Sequence, residues 1–184
     1  MSLQTNKEGK MTNYKKEGNI KGSLTIEGNL ILTGNLIVEN YIDVSGYIDC
    51  AGYSIKAGYF IKAGYSIKAG YFIEAGYSIE AGYSIKAGGS IEAGDFIEAG
   101  GSYGIIAGLY ITAKTTISFG LKAFAGICAW REVTNEEKTI TCSKLIGGGV
   151  VEYGILKETG EVVDNATQEA MKLLQKHGYK IIKE

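Results

Sequence analysis

The chain has 184 residues and nineteen basic against twenty acidic side chains, a net charge of −1 at pH 7, so no whole-molecule field attracts a phosphate backbone or imitates one. Strong direct nucleic-acid binding is not expected. Its three cysteines, Cys50, Cys128 and Cys142, are an odd number at no metal-like spacing, and no N-terminal stretch has the apolar centre of a secretory signal, which predicts reduced thiols in a cytoplasmic protein.

In chain order, residues 1–19 are polar and lysine-rich (Lys7, Lys10, Lys15, Lys16) without periodicity, and are expected to form an N-terminal tail or a first-coil cap. From residue 20 a period of six takes over. Glycine stands at every sixth position from Gly22 to Gly100, Asn40 being the exception; asparagine tolerates positive φ better than other side chains, so the row is expected to mark left-handed corners. With 27 glycines and no proline, the glycines are placed and not part of a low-complexity coil. After a two-residue insertion near Tyr103-Gly104 the spacing resumes at Gly108, Lys114, Gly120 and Gly126, so that about seventeen hexads occupy residues 20–130. No apolar run approaches the ~20 residues of a spanning helix, and no membrane partner is expected.

Between corners the apolar residues alternate, the period of a strand. Leu30/Leu32, Leu36/Val38, Ile42/Val44 and Ile48/Cys50 fall two and four residues after the corner, whereas Ile55/Ala57 through Ile85/Ala87 fall three and five after it. Keeping both sets inward requires a one-residue slip, a bulge near Ala51. The residue between each later pair is charged and must face water: Lys56, Lys62, Lys68, Glu74, Glu80, Lys86, Glu92 and Glu98. A single hexad cannot bury its own isoleucine, but stacked coils bury a continuous column. Three hexads per coil would give a triangular prism with Lys56 on Glu74, Lys62 on Glu80 and Lys68 beside Lys86. Two per coil would match more opposite charges, although exposed pairs are worth little; three per coil is carried forward.

The unit Ile-Lys/Glu-Ala-Gly-Tyr-Ser/Phe resembles the hexapeptide repeats of left-handed β-helix proteins. It is more similar to the Ile-x-Ala-Gly-x-x arrays of uncharacterised bacterial, bacteriophage and mobile-element proteins, as is the stretch Phe124–Trp130 with its short β-rich sequel. The resemblance implies an all-β fold, a left-handed triangular β-solenoid. The first group implies an acyltransferase and the second no assigned activity, and a Tyr stands where the acyltransferases place a small residue.

Residues 131–184 are expected to form a small α+β cap. Thr139–Cys142 and Val150–Leu156 read as strands, and Asp164 or Asn165 can cap a helix near 165–177 with Ala170, Met171, Leu173 and Leu174 on one face. Such a cap would cover the open strand edges of the last coil.

No catalytic constellation emerges. The single histidine, His177, sits in the last turn of that helix, and no coil carries the histidine that an acyltransferase uses as general base. No Gly-Lys-Ser/Thr phosphate loop occurs, and neither a metal site nor a cofactor is expected. The aromatic residues stand out instead: Tyr53, Tyr59, Tyr65, Tyr71, Tyr77 and Tyr83 each follow a corner glycine, and Phe60, Phe72 and Phe96 interrupt the serines at the next position. Outward rings of this kind either stack between coils or form a rigid binding surface. The expected function is a non-enzymatic scaffold that binds another protein or a ribonucleoprotein complex. Its specific form, by association with mobile-element arrays, is a phage inhibitor of a host defence complex of the anti-CRISPR kind. The alternatives are a self-assembling structural solenoid, with homo-oligomers formed through the C-terminal segment, and an acyltransferase relative.

Overall fold

Isoleucine and alanine alternate with charged residues in three-residue strands that are too short to fold alone. They persist because each is hydrogen-bonded in parallel to strands one coil below and one coil above. The computed structural model describes residues 12–160, and these form a parallel β-solenoid of three faces. The first face comprises Leu24–Ile26, Ile42–Val44, Ile61–Ala63, Ile79–Ala81, Ile97–Ala99, Thr116–Ser118 and Lys144–Ile146. The second comprises the first half of Asn29–Val38 and then Ile48–Cys50, Ile67–Ala69, Ile85–Ala87, Ile105–Ala107, Lys122–Ala125 and Val150–Tyr153. The third comprises the second half of Asn29–Val38 and then Ile55–Ala57, Ile73–Ala75, Ile91–Ala93, Ile111–Ala113, Thr139–Cys142 and Ile155–Glu158. Ile61 pairs with Ile79 and Ile79 with Ile97, eighteen residues a coil, so three hexads make one turn.

The expected inward pairs form the core. Ile42, Ile55, Ile61, Ile67, Ile73, Ile79, Ile85, Ile91, Ile97, Ile105, Ile111 and Ile117 are all completely buried, and the alanines between them nearly so. Each isoleucine contributes about 1.5–3 kcal/mol by leaving water. The slip near Ala51 is present as an extra corner residue: Ile48 pairs with Ile67, nineteen residues on, and Gly52 turns the added residue at φ +87°. The second insertion is also absorbed at a corner, where Ile85 pairs with Ile105 and Gly101-Ser102 bulge outward beneath Tyr103.

Asn40 is not at positive φ, and neither are Gly58, Gly64, Gly70, Gly76, Gly82, Gly88, Gly94 and Gly100. The expectation of left-handed corners fails there for two physical reasons. Above the slip the glycines are required by close stacking: a Cβ on Gly76 would stand inside contact with the carbonyl oxygen of Gly58. Below the slip the row belongs to a different column. Tyr59 N–H donates to the Asn40 carbonyl at 2.7 Å and Tyr77 N–H to the Tyr59 carbonyl at 2.7 Å, so Asn40 occupies the position that tyrosines fill in later coils.

Residues Asn13–Ile20 pair in parallel with Asn29–Val38, so the described part of the polar lead-in belongs to the first coil. At the other end the solenoid does not stop at 130. After a loop over 126–138 that contains a short 3-10 turn, Glu136–Lys138, the strands Thr139–Cys142, Lys144–Ile146, Val150–Tyr153 and Ile155–Glu158 add to the same three faces. The described part of the segment expected as an α+β cap is therefore solenoid. The helix expected near 165–177 lies outside the described residues, as does residue His177.

Gly76→Ala should destabilise the protein by about 1–3 kcal/mol, because the corner must separate from the one below to admit a methyl group. Gly101→Ala, where a Cβ meets nothing within 4 Å and φ is not positive, should be neutral or stabilising by about 0.4–1 kcal/mol. Urea unfolding of the two variants measures the difference; equal effects would refute the stacking explanation.

Candidate interaction surface

The strand register sorts the charged positions into three outward rows. The first face presents Asp43, Lys62, Glu80, Glu98 and Ser118 in successive coils. The second presents Asp49, Lys68, Lys86, Ile106 and Phe124, and the third Lys56, Glu74, Glu92 and Thr112. Two expected pairs close as ion pairs, Lys56 Nζ to Glu74 Oε1 at 2.6 Å and Lys62 Nζ to Glu80 Oε2 at 3.3 Å, all four side chains being substantially exposed. Their stabilisation is small for that reason. Lys68 stands directly beneath Lys86, also as the three-hexad coil requires.

The corners divide the aromatic residues. At the corner between the first and second faces, Tyr65, Tyr83 and Tyr103 lie one above another, with ring centroids 5.2 Å apart for the lower pair and 4.6 Å for the upper. Their facing sides are occupied by each other, so between these rings the column leaves no space for a base to insert. The other corners differ. Tyr71 and Phe72, between the second and third faces, and Tyr59 and Tyr77, between the third and first, are exposed, Tyr59 by 59% and Tyr71 by 57%. None of these four belongs to a ring pair among the described residues. Tyr53 packs partly against the core instead, Phe60 stacks on Tyr41 at 4.7 Å, and Phe96 is half-buried.

The alternation of Phe and Ser after each tyrosine has a structural cause. Phe60, Ser78 and Phe96 share one column, and Ser54, Phe72, Ser90 and Tyr110 another. Ser54, Ser78 and Ser90 are buried beside those larger neighbours, and Ser78 and Ser90 donate to Glu80 and Glu92 at 3.1 Å. Glu92 also accepts from the Tyr110 hydroxyl at 2.7 Å, which holds that phenol above its ordinary pKa. The Asp95 carboxylate does the same to Tyr77, chiefly by its charge.

A further apolar region was not anticipated from the repeat. Leu121, Ile127, Trp130, Val150 and Tyr153 are exposed near the late coils. Phe124, Gly126, Ile127, Cys128, Glu152 and Tyr153 line a shallow groove of about 430 Å³. The break in six-residue spacing after Gly126 was its only trace in the sequence. The loop beside it is tied by Arg131, whose guanidinium donates twice to Glu137, Nη2 to Oε1 at 2.6 Å and Nη1 to Oε2 at 2.7 Å. That pairing, with the Thr134 N–H, pulls the Glu137 carboxyl down to about 2.

Among the described residues no cluster of His, Cys, Asp or Glu could hold a metal ion, and every buried side-chain polar atom has a hydrogen-bond partner. Cys50 and Cys142 are buried, and burial pushes both thiols up, away from the reactive thiolate. No helix among the described residues is long and apolar enough to cross a membrane. No protein-family model matches the chain, and neither the curated proteins nor the solved structures contain a significant match to it.

Two predictions follow from this geometry. Tyr83→Ala removes the middle ring of the stacked column and should cost about 1 kcal/mol in thermal or urea unfolding, whereas Tyr71→Ala should cost less than about 0.5. Glu137 has a folded pKa below its ordinary 4.5, so the loop contact is intact at neutral pH and is lost as pH falls from about 4.5 towards about 2. Fluorescence of Trp130, the protein's one tryptophan, should report a transition near the lower limit, and in Arg131→Gln the transition should move up towards the ordinary carboxylate range.

Proposed function

We propose that the protein is a non-enzymatic scaffold that binds another protein through the exposed rings of Tyr59, Tyr71, Phe72 and Tyr77. One observation carries this reading: these are large rings without a ring partner, held on corners whose backbones are hydrogen-bonded coil to coil. A rigid, amphipathic ring offers contact area at little conformational cost, which is why tyrosine is favoured in protein interfaces. The Lys56 and Glu74 pair between Tyr59 and Tyr71 adds polar rim contacts.

A finer form of the proposal rests on the likeness of the repeat to hexapeptide and mobile-element arrays. In that form the partner is a cytoplasmic ribonucleoprotein defence complex, which the solenoid inhibits. Unchanged activity of such a complex at saturating protein would remove it and leave the scaffold reading intact.

The test is affinity capture from host cytosol with wild type and two folded variants. Changing Tyr59, Tyr71, Phe72 and Tyr77 to Ser should abolish capture of a partner protein that the wild type holds. Changing Tyr65 and Tyr83 to Ser should leave capture unchanged after the small loss of stability is taken into account. The reverse pattern, or absence of any partner from the wild type, would overturn the proposal.

A further inference from the structure

We infer that the solenoid associates side by side with a second copy of itself, both chains running in the same direction, through complementary charge rows on its first and second faces. The second-face row is Asp49, Lys68, Lys86. The first-face row is Asp43, Lys62, Glu80, Glu98. Read in the same direction and offset by one coil, the two are opposite in sign at every charged pair: Asp49 falls against Lys62, Lys68 against Glu80 and Lys86 against Glu98, with Asp43 against Ile31.

The geometry makes this match more than compositional. Successive residues of each row are separated by one parallel-strand spacing, about 4.8 Å, and the inter-coil register keeps that spacing identical on both faces. A copy laid alongside in the same direction and shifted by one coil brings all three pairs together, whereas unshifted it would set Asp43 against Asp49 and Lys62 against Lys68. A copy laid in the opposite direction forms at best two favourable pairs, such as Lys68 against Glu98 and Lys86 against Glu80 with Asp49 against Ser118, so the rows favour the same direction by one pair.

Among the described residues of one chain, only Lys62 and Glu80 of these charges form an ion pair, at 3.3 Å. Lys68, Lys86 and Glu98 take part in no ion pair among the described residues, and the Asp49 carboxylate accepts from the Ala51 N–H instead. Lys68 beside Lys86 and Glu80 beside Glu98 are like-charged neighbours on adjacent strands, each mildly destabilising. A second copy relieves both. The third face also carries a Lys-Glu-Glu row, but all of its charges are engaged, Glu74 lying 2.6 Å from Lys56 and Glu92 accepting from Tyr110 and Ser90, whereas the first face keeps Glu98 without a side-chain partner among the described residues.

A face about 20 Å wide and 30 Å long buries on the order of 600 Å² per copy, at the lower end of stable interfaces. The association is therefore weak and salt-sensitive. Because it joins two different faces it is heterologous, and each copy added leaves one row of each kind unfilled, so assembly continues beyond a dimer unless the geometry closes a ring. This inference does not rest on the scaffold reading, since it requires none of the four exposed rings.

Sedimentation velocity of the full chain over a concentration series tests it. Association should appear at 0.1 M salt and weaken at least about tenfold at 1 M, where the screening length falls from about 10 Å to about 3 Å. The pair Lys68→Glu and Lys86→Glu should sediment as a monomer, as should the pair Glu80→Lys and Glu98→Lys. Mixing those two variants restores both sets of opposite charges and should recover association to the wild-type level, a result that misfolding could not produce. A wild type that is monomeric throughout, association indifferent to salt and to both reversals, or a mixture that stays monomeric would each overturn the inference. Association that survives every reversal would instead point to the chain ends.

Discussion

The approach of each corner onto the corner beneath it governs the rest of this structure. At Gly76, Gly82, Gly94 and Gly100 the space that a Cβ would need is taken by a carbonyl oxygen one coil below. With glycine there, adjacent coils come together at the spacing of parallel strands, and N–H groups such as those of Gly76 and Tyr77 donate downward at 3.0 and 2.7 Å. Only at that spacing do the isoleucines of successive coils form a continuous column without voids. The same close approach brings the outward residues into fixed vertical rows, so corner packing, core and surface have one cause.

Much of this was legible in the residues. A period of six with an internal alternation of two can keep one face dry only if the chain winds, and Ile-x-Ala identifies that face. The slip near Ala51 could be read because Ile55 would otherwise have turned outward. The conformation of the corners could not. The glycine row looks unbroken in sequence, yet the slip moves it from the column of Asn40 and Tyr59 to that of Gly58 and Gly76, and only the inter-coil register separates the two. The continuation through Glu158 was hidden for a similar reason. After the 126–138 loop Ile-x-Ala no longer marks the hexad, and although Gly148, Gly154 and Gly160 keep the spacing of six, the strands belong to the solenoid because of what they pair with.

The aromatic residues show the same division between local and long-range information. Six tyrosines follow six corners and look equivalent in the sequence. The coil of eighteen residues distributes them over three edges, where different neighbours stand above them. Tyr65 has Tyr83 above it and stacks. Tyr71 has Gly89 above it, whose missing side chain leaves the ring uncovered on that side. Tyr59 has Tyr77 above it without stacking, so the edge as well as the residue eighteen positions away sets which rings are available, and a substitution at Gly89 would alter the Tyr71 surface without touching Tyr71.

The charged rows follow from a contest that the core wins. Two hexads per coil would have matched more opposite charges along the surface, yet the chain adopts three. Exposed ion pairs are worth about 0.2–1 kcal/mol each, whereas every buried isoleucine contributes about 1.5–3 kcal/mol, and a triangular coil surrounds the isoleucines completely. Surface charge thus had almost no influence on the winding. Its arrangement is correspondingly unconstrained by folding: like charges can stand together on Lys68 and Lys86 at little expense to the monomer. The rigid spacing that the core imposes then turns such a row into a ruled template, able to discriminate the direction and register of whatever lies against it.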